Sequence, residues 1–206
     1  SVWLPTEAFC FYRPMTFFPL LLIQQLFDGY PAWLLHGNNV VQHAANAGLL
    51  AWLSWRLWAD WRRAFATGGI CATFPFAYQA VTVYGQNVHE AIVGLMLLGL
   101  HSYLTAVSHQ PPTKTGRVFT QISTDRSPRK WWGLTSLLFI VMLLTHETAV
   151  LFGGFAALVQ LNSQPSLFKQ WRLFLRQPWR YFLLAGIVYL IIYQFLPISR
   201  APQVDA

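Results

Sequence analysis

The polar side chains of this chain that could take part in chemistry lie within or beside long apolar segments. One such segment carries imidazole and amide groups at successive spacings of three, four and three residues: His36, Asn39, His43 and Asn46. This spacing puts all of them on one face of a helix. Polar groups are costly in a membrane helix, so we expect this face to turn toward protein or a wet cavity. It either lines a substrate cavity or forms hydrogen bonds between helices.

Metal binding is a second kind of chemistry that two histidines on one helix face could support. Imidazole nitrogens are common zinc ligands, and His36 and His43 share the predicted face. A zinc site needs at least three protein ligands, and no third is evident in the sequence. The predicted site residues therefore include no metal ligand.

Two further groups of polar residues lie where apolar segments end. His146 and Glu147 separate two short apolar segments. We expect Glu147 to face away from lipid in a membrane protein, because a charge exposed to lipid is costly. It either pairs with Arg13 or His146 as a structural contact, or binds a polar substrate or a phosphate-bound metal. The other group lies near a predicted turn and comprises Tyr78, Gln79, Thr82, Gln86, His89 and Glu90.

An isolated arginine follows the aromatic start of the chain. Arg13 stands between Tyr12 and Pro14, far from the other basic residues. A guanidinium group binds phosphate oxygens in a bidentate manner, so Arg13 suits a lipid phosphate. The alternative is an anchor at the membrane interface where the first helix begins.

The basic residues indicate which elements position these groups. All of the 14 Lys and Arg residues except Arg13 and Arg200 fall into three clusters, at 56–63, 114–130 and 169–180. Long apolar stretches separate the clusters. Loops that alternate between basic and nearly uncharged are typical of a polytopic membrane protein, whose basic loops lie in the cytoplasm.

The composition agrees with this interpretation. The chain of 206 residues is 55% hydrophobic and 10% charged, whereas a soluble domain has about 25% charged residues. The net charge of +7 is spread over loops beside apolar segments. This distribution favours contact with membrane lipids over nucleic acid, which would require a basic patch. We therefore expect membrane lipids as partners and no nucleic acid.

These patterns predict an all-α fold, a polytopic transmembrane helix bundle of about six spans plus interfacial helices. The helix expected over 14–27 would reach only about 20 Å, which is short for a bilayer core of about 30 Å, so we assign it to the interface. The predicted spans are 31–58, 69–84, 87–107, 131–145, 147–161 and 179–198.

The predicted spans give a single transmembrane domain with a defined orientation. The Ser1 end and the C-terminal tail fall on the outer, periplasmic or lumenal, side. Cys10 and Cys71 fall on opposite sides, so we expect two unpaired packing cysteines. The chain opens with Ser rather than Met, and we expect it to be part of a longer protein. The domain covers 1–206, with an outer lead-in and interfacial helix over 1–30, spans over 31–198 and an outer tail over 199–206.

The segment 166–176 has an amphipathic pattern of its own. Basic residues (Lys169, Arg172 and Arg176) alternate with apolar ones, and in a helix the two kinds would occupy opposite faces. The pattern predicts a basic helix on the cytoplasmic membrane surface. It is either a lipid-facing anchor or a helix that binds a partner. The apolar face would comprise Leu167, Phe168, Trp171, Phe174 and Leu175.

Four short motifs follow each other along the chain: Tyr-Arg-Pro-Met-Thr at 12–16, His36-x-x-Asn39-x-x-x-His43, the segment from Phe74-Pro75 through Gln79 to Gln86, and His146-Glu147-Thr148. In this order they resemble polytopic glycosyltransferases of the C superfamily. The resemblance is to the protein O-mannosyltransferase-like branch, which includes transmembrane enzymes with tetratricopeptide repeats. It covers most of the chain.

The resemblance implies an enzyme that takes a sugar from a polyprenyl-phosphate donor and transfers it to an acceptor on the outer face. In such enzymes an acidic residue of the first outer loop acts as the general base or positions the acceptor, and basic residues or a divalent metal hold the donor phosphate. No catalytic residue of this chain is assigned. The residues for which the resemblance implies substrate binding are Tyr12, Arg13, His36, Asn39, His43, Gln79, Gln86, His146 and Glu147.

The chain departs from the pattern of this family at several charged positions. Gln79 stands where the family has Glu, Gln86 where it has Arg, and His146 where it has Lys. The acidic loop motif that precedes Tyr-Arg-Pro in the family is absent from the sequence. The chain is therefore either a fragment of such an enzyme, which starts after this loop, or a diverged relative. The two glutamines favour the alternative hypothesis, a non-catalytic accessory subunit that keeps the fold within a larger membrane protein complex.

Overall fold

A computed structural model describes residues 14–74, 87–108 and 128–195 of the chain. The regular structure within these ranges is helical and contains no strand, which confirms the predicted all-α class. The elements in chain order are α1 (Pro14–Phe27), α2 (Ala32–Trp58), α3 (Trp61–Thr73), α4 (Asn87–Ser108), α5 (Pro128–Thr145), a 3₁₀ helix (Glu147–Leu151), α6 (Phe152–Ser163), α7 (Ser166–Lys169), α8 (Trp171–Phe174) and α9 (Trp179–Phe195).

Local sequence signals account for several of these boundaries. Helix α1 begins at Pro14, where a missing backbone N–H costs nothing, and Asp28 beyond its end has a φ of 49°. Pro31 occupies the N-cap of α2. The helices predicted over 14–27, 31–58 and 87–107 lie within one residue of the observed bounds.

A tight turn joins α2 to α3 and corrects the predicted second span. Ala59 adopts a left-handed conformation with a φ of 52°, and the Asp60 side chain accepts a hydrogen bond from the Arg62 backbone N–H at 2.9 Å. Because this cap starts a helix at once, α3 begins at Trp61 rather than at the predicted residue 69. It ends at Thr73, and Phe74 is extended (φ −64°, ψ 117°), as the residue before a proline tends to be. The rest of the predicted span, 75–84, lies outside the described residues.

The predicted amphipathic helix over 166–176 is wrong as a single helix. The segment forms two short helices, α7 and α8, which break at Gln170 (φ −120°, ψ 57°). One straight helix would place Leu167 and Trp171, four residues apart, on the same face. Instead Leu167 is buried and Trp171 is exposed, so the break sends one residue to the core and the other outward.

Helix α4 lies at the centre of the bundle and packs against α2, α5 and α6. The core beside it is aromatic: the ring centroids of Phe139 and Phe152 each lie 5.3 Å from that of Phe182, in edge-to-face arrangements. Such pairs add stability beyond the apolar area that they bury. The Tyr103 hydroxyl, fully buried in this core, donates a hydrogen bond to Gln160 of α6.

Glycines allow close approach between α6, α9 and the 3₁₀ helix. Gly153 packs directly on the backbone of Leu183, and Gly186 packs on Val150. Small residues at such crossings let two backbones approach closely, as is common between membrane helices. The position of α9 therefore depends on the absence of a side chain at Gly153.

Judged by length and composition, Val88–Ser108 of α4 is the one helix within the described ranges that could cross a membrane. It has 21 residues and a mean hydropathy of 1.7. Two shorter helical segments, Phe18–Phe27 and Trp179–Tyr193, are also apolar. One helix of sufficient length and hydropathy supports the prediction of a membrane protein. The number and the orientation of the spans stay predictions.

Candidate functional site

A buried carboxylate at the start of α4 is contacted by two residues of α2. Glu90 Oε1 lies 3.0 Å from His43 Nδ1. Asn46 Nδ2 donates to Glu90 Oε2 at 2.7 Å and to the Glu90 backbone oxygen at 2.8 Å. Glu90 is only 8% exposed, so its charge needs these donors to offset the loss of water. We refer to His43, Asn46 and Glu90 as the His43–Glu90 cluster.

The second ring nitrogen of His43 connects the cluster to α3. His43 Nε2 lies 3.3 Å from the backbone oxygen of Ala72, in the last turn of α3. Carbonyls in the last turn of a helix lack partners within that helix and favour a positive neighbour. Both nitrogens of His43 thus face oxygen acceptors, and both hydrogen bonds form together when the ring carries two N–H groups and a positive charge. His43 in that state ties α2 to α3 and α4 at one point.

A cavity of about 430 Å³ opens beside this cluster. Sites for small molecules typically have volumes of about 300–1,000 Å³, with apolar walls and a few polar groups that fix orientation. The cavity fits this description, because the His43–Glu90 cluster is accompanied mainly by apolar side chains. The other lining residues are Leu50, Thr67, Ile70, Cys71, Phe74 and Val93.

The predicted polar face of α2 turns inward except at its beginning. Asn39 is fully buried, and Asn46 and His43 belong to the cluster. His36 is exposed, which corrects the expectation that the entire face is covered. Helix α3 ends at Thr73, close to the level of His43, and His36 lies two helical turns beyond that end.

The predicted pair His146 and Glu147 lies close to the first turn of α4. The His146 ring is 5.4 Å from that of His89, the neighbour of Glu90. His146 Nδ1 accepts a hydrogen bond from the Thr148 backbone N–H at 3.2 Å, so this nitrogen carries a lone pair. Glu147 Oε2 lies 3.7 Å from the same nitrogen, which is a contact and not a hydrogen bond. Helix α4 thus brings two of the predicted groups together.

Four of the predicted binding residues, Tyr12, Arg13, Gln79 and Gln86, lie outside the described residues. A metal site is also not supported by the described ranges, since they hold no group of three or more His, Cys, Asp or Glu residues suited to bind one ion. We therefore derive no metal-dependent step. The roles of the predicted binding residues stay predictions.

Glu90 is a central residue that the predicted binding set omits. Its signal was present in the sequence, because Glu90 directly follows His89 at the start of an apolar segment. A carboxylate in that position needs an internal partner. The partner itself could not be identified, since His43 is 47 residues away along the chain.

A second buried polar cluster lies nearer the other end of α4. Arg56 Nη1 donates to the His101 backbone oxygen at 2.8 Å and lies 3.3 Å from His101 Nδ1, and Arg56 Nη2 donates to Thr105 Oγ1 at 3.1 Å. His101 Nε2 donates to the Leu49 backbone oxygen at 3.0 Å, and its ring stacks on Trp52. The Arg56 guanidinium therefore turns inward and joins α2 to α4.

We expect Arg56→Lys to lower the free energy of unfolding by about 1–2 kcal/mol. A lysine keeps the charge, but it cannot offer the planar fork that donates to three acceptors at once. The measurement is thermal unfolding of the purified chain in detergent. Arg62→Lys, at an exposed position of α3, is the matched control and should change stability by less than about 0.5 kcal/mol. Equal stability of the two variants would contradict a structural role for Arg56.

No protein-family model, no curated protein and no solved structure matches this chain.

Proposed function

We propose that this chain is an integral membrane protein that binds a polyprenyl-phosphate-linked sugar on the outer face and takes part in transferring that sugar. The observation that carries the proposal is the cavity between α2, α3 and α4. Its walls are mainly apolar, and one polar cluster contributes to its lining. An amphiphilic ligand with a hydrocarbon chain and a polar head is complementary to such a site.

The proposal includes a bundle of about six spans, with the basic loops in the cytoplasm. Helix α4 supplies a span of sufficient length and hydropathy. Helix α9 exposes large apolar side chains along its length, and this favours contact of the helix with lipid over contact with water. Those exposed by more than half are Tyr181, Leu184, Val188, Ile191, Ile192 and Phe195.

The chemistry of the cavity suits the two ends of the proposed ligand. Leu50, Ile70 and Val93 offer apolar surface to an isoprenoid chain. Glu90 oxygens can accept hydrogen bonds from sugar hydroxyls. Both N–H groups of a charged His43 ring face Glu90 and Ala72, so the ring would attract a phosphate through its positive charge and not through a free donor. In the transfer, the bond between the sugar and the phosphate breaks and polyprenyl phosphate leaves. A bond from the sugar to the acceptor oxygen forms, and the acceptor proton passes to a base. The base is not assigned to a residue of this chain.

The second candidate function is an accessory subunit without catalytic activity. It is favoured by one specific observation, the hydrogen bonds by which His43 and Asn46 of α2 each contact Glu90 of α4. Groups that join helices in this way stabilise a bundle without any ligand. Gln79 and Gln86, in place of charged residues of the resembling family, agree with this candidate.

Protection of Cys71 from a maleimide reagent tests ligand binding. Cys71 lines the cavity, so a bound polyprenyl-phosphate-linked sugar should slow its labelling several-fold in a Cys10→Ser background. The control variant is Asn162→Cys combined with Cys71→Ser in the same Cys10→Ser background. Position 162 is exposed on α6 and does not line the cavity, so its thiol should label at the same rate with and without the donor. Unchanged labelling of Cys71 at saturating donor would overturn the proposed binding.

Sugar transfer then separates the two candidates. Donor-dependent labelling of an acceptor by the purified chain, lost on Glu90→Gln while the variant stays folded, supports the transferase. If the donor protects Cys71 but no sugar is transferred, the chain binds the donor without catalysing the transfer. Stable copurification within a larger membrane complex, with neither protection nor transfer, supports the accessory subunit.

A further inference from the structure

A basic turn precedes α9 and connects it to α6. It runs over residues 166–178, includes α7 and α8, and contains three basic residues and no acidic residue. We refer to it as the elbow. Its sequence pattern is amphipathic. Because its two short helices break at Gln170, the apolar side chains do not all lie on one face, as they would in a single helix.

Specific contacts hold the elbow against the bundle. Leu167 is buried at 8% exposure. Gln160 Nε2 of α6 donates to Gln177 Oε1 at 2.9 Å. Trp179 Nε1 donates to the Phe174 backbone oxygen at 3.1 Å, and the two rings stack with their centroids 4.9 Å apart. The elbow is thus fixed at both ends, which determines the side that it presents outward.

The outward side of the elbow combines apolar and cationic side chains. Trp171 is 61% exposed, and Leu173 and Leu175 are also exposed. Arg172 and Arg176 are exposed beside them, and the Arg172 guanidinium carbon lies 5.8 Å from the centre of the Trp171 ring. Tryptophan and arginine side chains together are typical of the boundary between hydrocarbon and head groups.

Helix α9, which follows the elbow along the chain, also exposes apolar side chains. Tyr181 and Leu184, in the first turns of α9, are more than half exposed and belong to the apolar series that extends to Phe195. The apolar helix surface would contact the hydrocarbon region of a bilayer leaflet, and the basic turn beside it would lie at the level of the head groups. The positive charge of the elbow is complementary to anionic lipid head groups.

We infer that the elbow is a binding site for anionic phospholipid head groups at the cytoplasmic surface of the bilayer. Trp171, Leu173 and Leu175 enter the boundary region, while Lys169, Arg172 and Arg176 contact the lipid phosphates. This inference rests on the membrane embedding proposed above and goes beyond it, because it assigns a lipid class and the residues that select it.

A lipid-borne quencher tests the inference on the full chain in nanodiscs. In a Cys10→Ser, Cys71→Ser background, Leu173→Cys carries a fluorophore, and a spin label sits near the head group of the disc lipid. We expect quenching to rise as phosphatidylglycerol is added to phosphatidylcholine and to fall at high salt. Arg172→Gln and Arg176→Gln should each raise the phosphatidylglycerol fraction needed for half-maximal quenching by about fivefold. Arg172→Lys and Arg176→Lys should keep the wild-type response.

The matched control is Arg62→Gln, which removes one positive charge from an exposed position of α3 and should leave the response at position 173 unchanged. Equal quenching in neutral and anionic discs would overturn the inference. So would quenching by aqueous iodide alone, which would place the elbow in water, or protection by inorganic phosphate, which would indicate a soluble anion. Resistance of the chain to alkaline extraction is measured separately, so failure of membrane embedding is distinguished from failure of lipid selectivity.

Discussion

Gly153→Ala is expected to destabilise the chain by about 2–3 kcal/mol, despite the better helix propensity of alanine. A Cβ atom at position 153 would lie 2.5 Å from the backbone nitrogen of Leu183 and 2.6 Å from its Cα. Backbone atoms cannot move aside as a flexible side chain can, so α6 and α9 must separate. The separation would also loosen the aromatic core around Phe152 and Phe182. Thermal unfolding in detergent, followed by circular dichroism, measures the effect.

The neighbouring glycine supplies the control. Gly154 has no atom within 4 Å of a Cβ built on it. Gly154→Ala should therefore leave stability unchanged or raise it by up to about 1 kcal/mol, through helix propensity alone. The two variants differ by one position along the same helix and by nothing in chemistry. If they unfold at the same temperature, the close crossing of α6 and α9 is not as described.

Glu90→Ala should cost more stability than the glycine and arginine variants above, a loss of about 3–5 kcal/mol. The substitution removes the acceptor of His43 Nδ1 and the Oε2 acceptor of Asn46, both in the interior. His43 then loses the carboxylate opposite its ring, and the link among α2, α3 and α4 weakens. Equilibrium unfolding in detergent, with and without the polyprenyl-phosphate donor, is the measurement.

A double-mutant cycle shows whether the loss comes from this pair. His43→Ala and Glu90→Ala should be less than additive, with a coupling free energy of about 1–3 kcal/mol. His36→Ala is the control, because His36 belongs to the same sequence pattern but is exposed. It should change stability by less than about 0.5 kcal/mol. Additive effects of the His43 and Glu90 variants would mean that the contact contributes nothing to the fold.

Helix boundaries with strong local signals were predictable from the sequence. Pro14 and Asp28-Gly29 delimit α1, and the spacing from Asn39 to Asn46 correctly identified an inward face on α2. These features depend on residues within a few turns of each other. The pairing of His43 with Glu90, and of Arg56 with His101, depends on how distant helices pack, which periodicity does not contain.

The errors have physical causes as well. The observed start of α3 differs from the predicted one because the cluster of basic residues at 56–63 indicates a loop, whereas Asp60 caps a helix before Arg62 and Arg63. The helical spacing of apolar and basic residues over 166–176 predicts one helix. The structure has two short helices there, because Leu167 is buried in the core and the Phe174 ring stacks on Trp179. In both places a local cap or a tertiary contact overrode the pattern of apolar and charged residues.

The tight connection between α2 and α3 sets an order of events during translation. The bond from His43 to Ala72 joins residues 29 apart, so it can form once the hairpin has left the ribosome. The described acceptors of Asn46 Nδ2 both belong to Glu90, which is synthesised later. Until then a nascent hairpin carries an amide whose native acceptor does not yet exist. The hydrogen bonds of Asn46 therefore form only when the first turn of α4 packs on the hairpin of α2 and α3. A pause in synthesis before residue 90 would prolong the exposure of this hairpin to chaperones and proteases.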